Sequence, residues 1–68
     1  MHNTNIAVGD KVTHAVYPHD TWQVVEIYTD EQLEAWGYQH SYRFSIKSIA
    51  GPHEGHTMIG IEQLIKPA

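Results

Sequence analysis

"VGDKVTHAVYPHDTWQVVEIYTD", residues 8–30, decides the fold. Gly9-Asp10 is a turn signal, and residues 11–16 then alternate. Val12, His14 and Val16 lie on one face, Lys11, Thr13 and Ala15 on the other, which is the pattern of a half-buried strand. "YPHDT" breaks it, because Pro18 withholds a backbone donor and Asp20 favours turns. Residues 22–29 form a second strand, rich in aromatic and β-branched side chains. Its faces, Trp22, Val24 and Tyr28 against Val25 and Ile27, are both apolar, so periodicity leaves the buried side open. Such a strand is either bulged or covered on its outer face.

Outward from this stretch the chain stays short-period. "DEQLEAWG", residues 30–37, predicts a short helical turn, with Asp30 as N-cap, Glu31 in the first turn and Gly37 closing the end. Leu33 and Trp36 lie three apart on one side of it. Residues 41–47 give the cleanest strand signal: Tyr42, Phe44 and Ile46 face one way, Arg43, Ser45 and Lys47 the other. "AGPHEG" is a turn-forming loop. A fourth strand covers residues 57–61 with Ile59 and Ile61 inward, and "EQLIK" reads as one tight turn leading into a short closing strand. The expectation is an all-β chain of five short strands closed into a small barrel, with a helical turn after strand two. One domain spans residues 1–68, with 1–7 as a loose arm and 8–66 as the barrel. The expected core is Val8, Val12, Val16, Val24, Ile27, Tyr42, Phe44, Ile46, Ile59, Ile61 and Leu64.

Size sets the next constraint. With 68 residues and no cysteine, the chain buries only about 60% of its unfolded surface and has no disulfide to staple it. Small scaffolds of this kind gain burial by self-association, so a homo-oligomer is expected. The opening "MHNTNIAVGD" has neither a basic start nor an apolar stretch, and no run approaches the ~20 residues that span a bilayer. The expected setting is cytoplasmic, with no membrane association. Net charge is −4 with histidines neutral, which disfavours a phosphate-backbone partner. Protonating all six histidines would carry it to −4 + 6 = +2, so mild acid alters solubility and association.

"VGDKV", then "WQVVEI", then a strand ending in "TMIGIEQLIK", resembles the SH3-like barrels of small bacterial and phage proteins, of the KOW type. The resemblance spans residues 7–66. It implies the barrel and leaves the task open, since such barrels host many unrelated ones. The plasmid-borne type II dihydrofolate reductases are similar in length, in the "GDKV"-like opening and in the closing turn. That family implies reduction of dihydrofolate in the pore of a tetramer, through a lysine just after the opening strand and a Val-Gln-Ile-Tyr segment in the penultimate one. At the matching places this chain has His14 and Thr57-Met58-Ile59. The shape carries over in this reading and the activity does not.

Four groups of residues are candidates for a site. In "GPHEGHT", His53 and His56 form H-x-x-H around Glu54. Two imidazoles and a carboxylate fall short of the four ligands of a tight zinc site, unless His14 or His19 joins them. A polar hairpin turn is the simpler account, and no metal or cofactor is expected. Leu33, Trp36 and Tyr38 on the polar insertion, flanked by Glu31 and Glu34, are the residue types that anchor interfaces. Their alternative role is to cap the barrel or cover strand two. Glu26, Asp30, Glu31 and Glu34 gather on one segment while Arg43 and Lys47 share the solvent face of strand three. These charges form either a solvated surface or an acidic dock for a basic partner. Tyr17, Trp22, Tyr28, Tyr42 and Phe44 could cage a cation, although most sit at core positions. Four basic residues make a poor groove for stacking nucleic acid. Ser41, Ser45 and Ser48 lack a nucleophile motif. The expected function is a non-catalytic binding module for a protein partner. The alternatives are a nucleic-acid-associated barrel and an oligomeric pore enzyme.

Overall fold

The computed structural model describes residues 6–68, so the expected arm at 1–7 lies almost wholly outside the described residues. The elements are β1 (Lys11–His14), β2 (Thr21–Ile27), α1 (Asp30–Trp36), β3 (Phe44–Ala50), β4 (Thr57–Gly60), a 3-10 turn (Glu62–Leu64) and β5 (Ile65–Pro67). The strands form one antiparallel sheet in the order β4-β3-β2-β1-β5. The fold is mostly β, with five strands and one short helix after strand two. Among the described residues β4 and β5 are the two ends of this sheet, with no ladder joining them.

The ambiguous second strand is bulged. Val24 pairs with Ile46 and Glu26 with Ser45, so one extra residue, Val25, is accommodated between them. The bulge resets the alternation, placing Ile27 with Trp22 and Val24 on the core side while Val25 stays exposed. The core is Val12, Trp22, Val24, Phe44, Ile46 and Ile65, with Ile6, Tyr17, Ile27 and Met58 packed against it. No helix is long and apolar enough to cross a membrane.

Several expected core positions are corrected. Val8 and Val16 are each 60% exposed. Beyond His14 the chain leaves the ladder, with the Tyr17 N–H returning to the His14 carbonyl at 3.2 Å, so strand alternation stops before Val16. In β4 the inward residues are Met58 and Gly60, and Ile59 is exposed. Gly60 faces inward because Ile65 occupies the space a side chain would need: a Cβ there would lie 2.1 Å from Ile65 Cδ1. Tyr42, Ile61 and Leu64 are half-buried and lie outside the strands. The third strand starts at Phe44 and not at residue 41, and β1 ends at His14.

Candidate interaction surface

The insertion between β2 and β3 is held by local chemistry. Thr29, not Asp30, caps α1. Its hydroxyl accepts the Gln32 N–H at 3.1 Å, and the Gln32 side chain accepts the Thr29 N–H at 2.9 Å, a reciprocal capping box. Asp30 and Glu31 sit in the first turn, where the helix dipole favours negative charge. Gly37 ends the helix at φ 79°, and its N–H reaches the Glu34 carbonyl at 3.2 Å. A helix of 7 residues does not persist alone. Two features tie this one down. Leu33 is fully buried, outside the main core cluster. The Arg43 guanidinium donates to the Tyr28 carbonyl at 3.1 Å and pairs with Asp30. Arg43 is therefore a clamp on the insertion and does not share a solvent face with Lys47.

What the insertion offers to solvent is aromatic and acidic. Trp36 packs edge-on against Tyr28, ring centroids 5.1 Å apart, yet remains 52% exposed. Tyr38 stacks on Tyr42 at 6.0 Å and is also 52% exposed. Glu31 and Glu34 are exposed, and Glu34 meets His40 at 2.8 Å. Leu33 drops out as a contact residue, since it is enclosed. Trp36, Tyr38, Glu31 and Glu34 stand at the surface as the sequence reading requires. Each aromatic covers a tyrosine, Trp36 by an edge and Tyr38 by stacking, and shows the rest to water.

The other candidates separate. Trp22 and Phe44 are core residues, Tyr17 packs against His14 and His53, and Tyr28 and Tyr42 belong to the insertion. The five do not form one cage. His53 and His56 lie edge to face with ring centroids 6.1 Å apart, and among the described residues no group of three ligating side chains could hold a metal. His53 Nδ1 is engaged at 2.9 Å by Asp20.

Asp20 is the residue sequence reasoning missed. Read as a turn former, it is a buried carboxylate that accepts the Ser48 hydroxyl at 2.7 Å and the His53 backbone N–H at 2.8 Å. Burial pushes its carboxyl up, but the hydrogen bonds from His53 and Ser48 outweigh this and hold it below the usual carboxylate value. The carboxylate stands between serine and histidine, so Ser48 donates to Asp20 and not to an imidazole. That order ties a loop to a hairpin and is not the arrangement that activates a serine. Nothing in "YPHDT" announces this, because the partners lie 28 and 33 residues away. Against known protein families, curated proteins and solved structures, the chain has no match.

Proposed function

We propose that this chain is a non-catalytic binding module, an SH3-like barrel that docks a protein partner through the surface of α1 and the loop after it. The observation that carries the reading is the exposure of Trp36 and Tyr38, each 52%, on a segment whose other exposed residues are polar or small. Aromatics held in place by a second ring lose little side-chain freedom on binding, which is why such residues anchor interfaces. Glu31 and Glu34 beside them favour a partner with an apolar patch and a basic rim. The sheet order β4-β3-β2-β1-β5, with β5 beside β1, supports the barrel reading of the scaffold. The setting proposed is cytoplasmic, and a second copy of the chain is one partner that fits, since self-association adds burial to a small core.

The test is a pair of variants read two ways. Trp36→Ala with Tyr38→Ala should keep the native circular dichroism and melting transition. The parent should sediment as a dimer or larger at micromolar concentration, or capture a partner from its host at physiological salt, and the double variant should lose both. A parent that is strictly monomeric, with a captured set unchanged in the double variant, defeats the proposal.

A further inference from the structure

The hairpin between β3 and β4 carries two imidazoles on a fixed backbone. Main-chain bonds close its turn: the Glu54 N–H reaches the Gly51 carbonyl at 3.1 Å and the Gly55 N–H the Ser48 carbonyl at 2.9 Å. The His56 N–H meets the His53 carbonyl at 3.0 Å, and the His56 carbonyl takes the Ser48 N–H at 2.9 Å. The buried Asp20 carboxylate adds another bond, from the His53 N–H at 2.8 Å. Both histidines are therefore tied at the main chain.

The same carboxylate sets the chemistry of the first ring. Burial pushes the Asp20 carboxyl up, but the hydrogen bonds from His53 and Ser48 hold it below the ordinary value. It is ionised at pH 7 and can only accept. Its Oδ1 stands 2.9 Å from His53 Nδ1, so that nitrogen carries the proton. In the neutral ring the lone pair then lies on Nε2. Nε2 has no partner among the described residues and is not one of the two enclosed, unpartnered side-chain nitrogens, Trp22 Nε1 and Arg43 Nε. The side chain is 44% exposed, while Tyr17 packs edge-on against its ring at 5.1 Å. A held imidazole that gives one N–H to a buried carboxylate and leaves its other nitrogen open is how metal-binding histidines are built.

His56 supplies a second ring. It is exposed, and the two rings lie edge to face with centroids 6.1 Å apart. An ion about 2 Å from a ring nitrogen lies roughly 3.2 Å from the ring centre, so two rings on one ion stand no more than about 6.4 Å apart. A tetrahedral ion asks for roughly 5 Å, a swing of about 1 Å that an exposed side chain makes on an unmoved backbone.

We propose that His53 and His56 form a two-histidine site for a divalent transition ion of the zinc, copper and nickel class, with Asp20 orienting the first ligand. Imidazole suits these ions, whereas magnesium prefers oxygen ligands. Among the described residues no group of three ligating side chains comes together, so water completes the coordination and the ion exchanges readily. The site is separate from the α1 surface. Spacing alone does not reveal it, because Asp20 lies 33 residues from His53.

Zinc chloride titrated into the protein, followed by imidazole and amide NMR resonances, tests the site. Zinc should give saturable shifts at His53 and His56 with one ion per chain, and magnesium at equal concentration should give none that saturate. His56→Gln, at an exposed position, should weaken zinc about tenfold or more, the effect of losing one of two ligands. His19→Gln, at an exposed histidine outside the pair, should leave the affinity unchanged. Asp20→Asn keeps both rings and should weaken zinc about 10–100-fold, an effect that a chance pair of surface histidines would not show. Folding of each variant is read from the same spectra. Zinc should also raise the melting temperature of the parent by mass action, and not that of His56→Gln. Absence of saturation at the two rings, an equal response to magnesium, or unchanged affinity in His56→Gln or in folded Asp20→Asn overturns the proposal.

Discussion

Asp20 and His14 are both buried and both titratable, and they respond to acid through opposite charges. Asp20 has its pKa lowered by the hydrogen bonds from His53 and Ser48, which outweigh the effect of its burial. Its contribution to stability is complete above the ordinary carboxylate value and is lost as pH falls through the lower folded value. Chemical denaturation from pH 7 to pH 3 should therefore show the Asp20 share of stability declining below about pH 4. Asp20→Asn, less stable at pH 7, should show a shallower acid limb; an equally steep one would assign the limb to other carboxylates. His14 is lowered by desolvation alone. The unfolded chain takes up a proton from about pH 6.5 downward while the folded one does not, so stability falls across that interval. Its Nδ1 accepts the Val16 N–H at 3.1 Å. Protonation turns Nδ1 from acceptor to donor and breaks that bond. The Val16 amide resonance should move with the His14 ring, at a midpoint below about pH 6.5; a midpoint at or above it would contradict the buried, neutral ring. Alternation had already placed His14 on the face of Val12, so that face was legible in the sequence, although the expected core left His14 out. The partners of Asp20 were not legible, because no local pattern encodes a bond across 33 residues.

Elements were legible where short-range chemistry makes them. The glycine stop of α1 and the tight turn before β5 rest on neighbours within a few residues, and the sequence shows both, whereas the cap lies at Thr29 and not at the expected Asp30, and only the pairing with β3 decides for a bulge in β2 over a covered outer face. Inward faces were misread where packing between distant residues decides. In β4 the larger residues Ile59 and Ile61 suggest one register, while Ile65 against Gly60 imposes the other, and a one-residue slip exchanges the faces. Thr29→Ala removes the cap and should cost about 1 kcal/mol, with faster amide exchange at Leu33 and Tyr38 and the sheet unaffected. Exchange that speeds up equally in β3 would mean the helix and sheet unfold as one. Gly51 carries φ 115°, and a Cβ there would lie 2.7 Å from the His19 carbonyl, whereas Gly55 at φ 93° has nothing within 4 Å. Gly51→Ala should lose more than about 1 kcal/mol, and clearly more than Gly55→Ala. Equal losses would show that backbone strain alone matters at both sites.

At the scale of the whole molecule, one small core carries the stability. Phe44 is 1% exposed at the centre of that core. Phe44→Ala should cost about 3–5 kcal/mol, enough to leave a domain of this size largely unfolded; near-native urea stability in the variant would move the core elsewhere. The candidate interaction surface was legible as residue types, Trp36 and Tyr38 on a polar insertion. Which of its members face water was not, since Leu33 and Trp36 share a helical side and only the tertiary fold separates them. The strand order has a consequence of its own. A sheet with two end strands presents two rows of backbone groups on which a foreign strand can build. Here the rows are unequal. Along β5, Lys66 and Pro67 interrupt the donors and place charge on the rim, while β4, Thr57–Gly60, carries neither proline nor charge. Strand addition is thus expected on the β4 side: two molecules joined β4 to β4 about a twofold axis would each have only the guarded side left, and growth would end at the pair.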